Sequence, residues 1–176
     1  MYLVGSKLLK INNNRDVDYL NLVKSATTEE LKLRKENGAE IHTRTEEMER
    51  RTLNFELPFT YQAIHWYIVT YQLDKSIIGQ DFPIKHSVLE KRDKYIEMLN
   101  WIVDNQALNF KKNEWLNRGN CSKIIYHIEY IVFILENNST VLTDEQKVIV
   151  QKIHDTQMPQ DYLDELAERI RNLKVR

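Results

Sequence analysis

A single cysteine, Cys121, in 176 residues excludes an internal disulfide framework and any zinc site built on thiolates. That usage suits a reducing cytoplasm, and Cys121, just before an apolar helical run, reads as a small buried residue rather than a nucleophile. Positive charge is not in excess either. Lysine and arginine number 25 against 26 acids, for a net charge of −1, so no global basic field draws nucleic acid and any such contact must be local. No apolar run reaches the length needed to cross a bilayer, and the first residues do not follow the charged-then-apolar pattern of a secretory signal. A cytoplasmic protein with no membrane partner is the expectation. No repeat or low-complexity segment interrupts the chain, and 42% hydrophobic residues suffice for a real core in one domain or two small ones.

What the chain does have is concentrated near its start. Met1 to Val4 is a short apolar run ending at Gly5-Ser6, and Asp16 to Val23 alternates as a second strand, with Val17, Tyr19 and Leu22 expected toward a core. Successive strand side chains point to opposite faces, so Asp16 and Asp18 share one face. Two carboxylates so placed repel each other unless a cation lies between them. Hard divalent ions such as Mg²⁺ are held by one or two carboxylates together with phosphate oxygens. The bland alternative is a polar turn, Asn12 to Asp16, running into an edge strand. Asp18 argues against it, being one step inside the strand, where no turn residue is needed.

Strand, Gly5-Ser6, a short connection and an Asp16-Val17-Asp18 strand together resemble the DNA polymerase beta-like nucleotidyltransferase superfamily. The resemblance covers roughly the first 60 residues. It implies a Gly-Ser turn that holds a nucleoside triphosphate and three acids that hold two ions, Mg²⁺ or Mn²⁺. Members commonly carry a small residue and an arginine after Gly-Ser and often a serine before the first Asp. Here Lys7-Leu8-Leu9-Lys10 and Arg15 stand instead, so the triphosphate contact falls to Lys7 or Lys10.

A third carboxylate is expected from a later strand. After a charged stretch, Thr28 to Asn37, that reads as a short surface helix closed by Gly38, the run Ala39 to Thr45 alternates with β-favouring residues. Glu40, His42 and Arg44 fall on one of its faces. Glu40 would complete the metal cluster, His42 would orient the attacking hydroxyl or act as base, and Arg44 would neutralise phosphate charge. The rival third acid is Glu56, in the strand-like Leu53 to Leu57 before Pro58. Glu40 is preferred because Glu56 sits in an apolar run where its burial would be costly.

From residue 60 the hydrophobic period changes from two to 3.6. Helices are expected over Thr60 to Leu73, from the capping box Ser87-x-x-Glu90 to about Asn105, over Ser122 to Glu136, after a second capping box Thr143-x-x-Gln146, and after Pro159. Leu89, Tyr95, Ile96, Leu99, Ile102 and Val103 form one apolar stripe; Ser122 to Glu136 is apolar on nearly every side and reads as the central helix. Val148, Ile149 and Ile153 follow the second box, and Tyr162, Leu163, Leu166, Ile170 and Leu173 face inward on the last helix. The expected fold is α+β: a small nucleotidyltransferase-like mixed β-sheet module, residues 1–58, followed by an all-helical bundle, residues 59–176.

Lys111, Lys112, Arg118 and Lys123, with Trp115 among them, concentrate four cations against one acid. Such a loop, 111–123, suits a nucleotide triphosphate or an RNA backbone, and Lys123 at the first turn of the central helix would join the helix N-terminus in facing an anion. His127 reads as a core histidine. Two functions are compatible with these residues: a metal-dependent nucleotidyltransferase, and an interaction protein that keeps the fold. For the second, the chain also looks like small phage-encoded nucleotidyltransferase-like proteins, which include anti-CRISPR inhibitors acting on Cas9 or its guide RNA.

Overall fold

The computed structural model describes residues 1–4, 17–53, 88–105, 121–156 and 158–174. The chain divides into two compact units, Met1–His86 and Ser87–Arg176. The expected boundary at 58/59, the expected helix over Thr60 to Leu73, and the histidines His65 and His86 lie outside the described residues. The expected order does hold: a mixed sheet first, helices after it, in an α+β architecture.

In the first unit β1 (Tyr2–Val4), β2 (Val17–Val23), β3 (Arg34–Glu36) and β4 (Ala39–Thr45) form one sheet in the order β1-β2-β4-β3. β2 and β4 run parallel, and β1 and β3 flank them antiparallel. The stretch expected to be a surface helix, Thr28 to Asn37, is instead a turn followed by β3. The reason is Asn37-Gly38. Both residues take positive φ, 51° and 80°, as a two-residue hairpin loop requires, and Glu36 pairs with Ala39 across it. That local geometry outweighs the helix-compatible charges of the preceding residues.

A short helix, α1 (Glu46–Leu53), follows β4 without a break and was not anticipated. Thr45 ends the strand and caps the helix, its hydroxyl accepting from the Met48 amide at 3.1 Å, while Glu46 and Glu47 sit in the first turn where the helix dipole favours acids. Leu53 thus ends a helix rather than opening a strand; Glu56 lies outside the described residues. The core side of β2 also differs from expectation. Leu20 is buried on the face of even-numbered residues and Ile41 and Thr43 of β4 on the other, whereas Val17, Tyr19 and Leu22 are only partly covered.

In the second unit the helices are α2 (Arg92–Asn105), α3 (Cys121–Asn137), α4 (Asp144–Asp155) and α5 (Gln160–Asn172). α2 starts at Arg92, after a turn at residues 88–91, and Ser87 lies outside the described residues. Its expected stripe is buried at Tyr95, Ile96, Leu99, Ile102 and Val103, and Leu89 is half-buried. α3 is buried from Ile125 through Leu135, as expected of a central helix. It ends on Asn138 at φ 51°, and the Ser139 amide reaches back to the Ile134 carbonyl at 3.3 Å, closing the left-handed stop. Arg92 of α2 donates to the Leu135 carbonyl at 2.7 Å, satisfying another orphan acceptor of that last turn. The capping box of α4 forms in full: the Gln146 amide donates to Thr143 Oγ1 and the Thr143 amide to Gln146 Oε1. Behind it the buried residues are Val150, Ile153 and His154, while Val148 and Ile149 face outward. On α5, Leu166, Ala167 and Ile170 are buried.

α3 and α5 are tied by a charged knot. Glu129, fully buried, accepts from Arg169 Nη1 at 2.5 Å, and the same guanidinium forks onto both oxygens of Glu136 at 3.0 and 2.7 Å. Its Cζ lies 5.1 Å from the centre of the Phe133 ring. Burial pushes the Glu129 carboxyl above its ordinary range, and Arg169 only partly offsets that. Burial and the neighbouring Glu129 charge push the Tyr162 phenol up as well. His127 is buried against Tyr126, whose ring also meets His154 edge-on.

Candidate metal centre

The parallel register of β2 on β4 sets Asp18 beside Glu40, Leu20 beside His42 and Leu22 beside Arg44. Even-numbered residues of both strands therefore share one face of the sheet. Asp18, Glu40 and His42 converge there. One donor atom from each lies within 4.8 Å of the others, and all three side chains are partly covered. His42 Nε2 is 3.5 Å from Asp18 Oδ1.

The hairpin adds a residue that sequence reasoning missed. Lys35 pairs with Glu40 across β3 and β4, and its ammonium lies 2.6 Å from Glu40 Oε1. The signal was present in Asn37-Gly38, because a two-residue loop there fixes Lys35 opposite Glu40. Arg44, farther along the same face, lies with its Nε 2.5 Å from Glu49 Oε1 on α1. The N–H does not point along that line, so the contact is one of charge rather than an aligned hydrogen bond. Glu49 is buried, and the Arg44 charge compensates it within the unit. The opposite face of the sheet is separate chemistry: Asn21 donates to Thr43 Oγ1 at 3.5 Å beside a groove of about 410 Å³ under the 25–34 segment.

No family model, curated protein or solved structure matches the chain. The candidate site therefore rests on its own geometry. Of the expected site residues, Asp18, Glu40 and His42 come together and Arg44 follows on the same face. Gly5, Ser6, Lys7, Lys10 and Asp16 lie outside the described residues, as do Lys111, Lys112, Trp115 and Arg118. Lys123 lies in the first turn of α3, and its side chain is outside the description.

The donor set suits a divalent cation. Ligand atoms about 2.0–2.2 Å from a metal lie roughly 3–4 Å apart. The three donors here already lie within 4.8 Å of one another. Two carboxylates and an imidazole on adjacent parallel strands are held by the ladder itself rather than by loops. Among the described residues this is the one group of three or more acidic, histidine or cysteine side chains that meets the spacing of a metal site. No described helix is long and apolar enough to cross a membrane.

Proposed function

We propose that the first unit is a metal-dependent nucleotidyltransferase, which moves a nucleoside monophosphate from a triphosphate to a hydroxyl. The observation that supports this reading most is the convergence of Asp18, Glu40 and His42 on one face of a mixed sheet. Asp18 and Glu40, with Asp16 before them in the chain, hold the divalent ion. When bound, the ion supplies Lewis-acid stabilisation of the charge that develops on the phosphate oxygens. The acceptor oxygen bonds to the α-phosphorus, the bond from that phosphorus to the bridging oxygen breaks, pyrophosphate leaves, and the hydroxyl proton passes to water. Gly5-Ser6 with Lys7 or Lys10 binds the triphosphate, and Arg44 adds positive charge for it.

Incubation with an α-phosphate-labelled nucleotide and Mn²⁺ should transfer label to an acceptor, and Asp18→Asn should abolish that transfer while the protein stays folded. Transfer that persists in Asp18→Asn refutes the assignment. One observation favours a second reading. Glu40 already has a cation beside it in Lys35, so the face is electrostatically partnered without an ion. On that reading the chain is an interaction protein that inhibits a Cas9 ribonucleoprotein through RNA contacts of the basic loop 111–123. Protection of a target DNA from Cas9 that survives Asp18→Asn, with no label transfer by the wild type, would favour it.

A further inference from the structure

We propose that His42 is a metal ligand rather than a base, so that the Asp18–Glu40–His42 centre takes a transition-series ion such as Mn²⁺ or Zn²⁺ in preference to Mg²⁺, and that Lys35 is the counter-charge the ion displaces. The inference rests on the reading of these residues as a metal centre and deepens it by naming the class of ion. Three features carry it. First, His42 Nε2 already lies 3.5 Å from Asp18 Oδ1, the spacing of two ligands around one ion, so this ring nitrogen faces the carboxylates of the cluster. Second, imidazole nitrogen suits transition-series ions, whereas Mg²⁺ prefers oxygen ligands in strict octahedral geometry and keeps several of its waters. A nitrogen among three protein donors discriminates between the two. Third, the Lys35 ammonium lies 2.6 Å from Glu40 Oε1 while its side chain is 72% exposed and that of Glu40 is 21% exposed. A partly covered carboxylate gains from a positive neighbour, and an exposed lysine is weakly held. Lys35 therefore supplies positive charge to the same carboxylate that would ligate an ion, and competes with the ion for it.

The test is direct binding by the full-length protein. Titration calorimetry with Mn²⁺, Zn²⁺ and Mg²⁺ would give the affinities. The electron spin echo spectrum of the Mn²⁺ complex would show whether nitrogen is coordinated, a signature that a purely structural role for His42 would not produce. We expect Mn²⁺ to bind at least tenfold more tightly than Mg²⁺, with a nitrogen coupling in the spectrum. His42→Ala should lose the coupling, weaken Mn²⁺ at least tenfold and leave Mg²⁺ within a factor of about two, in line with the usual loss on removing a ligand or its support. Lys35→Met should tighten Mn²⁺ several-fold at low salt. Equal affinities for Mn²⁺ and Mg²⁺, or Mn²⁺ binding that keeps its affinity in His42→Ala but is lost in Asp18→Asn, would overturn the inference and leave the carboxylate metal site standing. No binding of any of the three ions would overturn both this inference and the proposed function. Unchanged Mn²⁺ affinity in Lys35→Met would refute the displacement of Lys35.

Discussion

Removing Arg169 should cost the second unit far more than a surface arginine normally would, and the cost should depend on pH. Glu129 is 0% exposed and takes its hydrogen bond from Arg169, so Arg169→Ala leaves a carboxylate in the interior with Glu136 as its charged neighbour. Breaking a buried ion pair by deleting one partner costs about 3–5 kcal/mol. With the Arg169 side chain 25% exposed, the lower end, about 3 kcal/mol, is the expectation. The pH dependence follows from the direction of the Glu129 shift. Its carboxyl lies above the ordinary 4.5 in the folded protein, so the native state holds that proton more tightly than the unfolded state, and stability falls as pH rises through the window from 4.5 to the raised value. Arg169 is what pulls that value down, so the variant widens the window upward. The deficit of Arg169→Ala relative to wild type should be small at about pH 4, where Glu129 is protonated in both, and full at about pH 7.5. Urea unfolding followed by circular dichroism at the two pH values measures it. Adding Glu129→Gln to the variant should recover at least about 1 kcal/mol at the higher pH, since no buried charge then remains unpaired. A cost below about 1 kcal/mol, or the same cost at both pH values, would refute the reasoning.

Two smaller perturbations test local features. Gly38→Ala meets open space at the new Cβ, so its cost is only that of a left-handed backbone at φ 80°, about 1–2 kcal/mol by thermal unfolding, and a stabilised variant would show that residue 38 does not hold a left-handed backbone in the native hairpin. Thr143→Ala removes the hydroxyl that accepts from the Gln146 amide and should cost about 1 kcal/mol, with Thr143→Ser nearly neutral; equal losses in the two would mean that the capping hydroxyl contributes nothing.

Where one signal dominated a segment, the sequence was readable. Ala39 to Thr45 alternates β-formers with polar residues, and the strand spans those seven positions. The Thr143 and Gln146 pair carries its own hydrogen-bond geometry, and α4 begins behind it. Where two signals competed, the wrong one was followed. Thr28 to Asn37 is rich in acids and bases at helix-compatible spacing, yet a single Asn37-Gly38 dipeptide with positive φ at both residues sets a hairpin. Both faces of β2 carry apolar groups, Val17 and Tyr19 on one and Leu20 and Leu22 on the other, so alternation alone could not say which is covered. The site followed the same pattern. Asp18, Glu40 and His42 share a face because side-chain alternation is a property of each strand alone. That they also lie side by side depends on the parallel register of β2 with β4, which no local signal encodes. Lys35 was hidden because its place opposite Glu40 follows from the hairpin, and Glu49 because α1 was not expected.

The strand order has a kinetic consequence. The β3–β4 hairpin closes around two residues and can form on its own in about 1–10 μs. Pairing of β2 with β4 must instead wait for the chain between Val23 and Ala39 to be gathered, and non-local pairing of this kind is slow because loop entropy is lost before contacts compensate it. Lys35 thus meets Glu40 early, while Asp18 arrives late, carried in by β2. A docking slip of one residue would turn Asp18 to the other side of the sheet, so the register in which β2 docks on β4 decides whether the three donors meet at all.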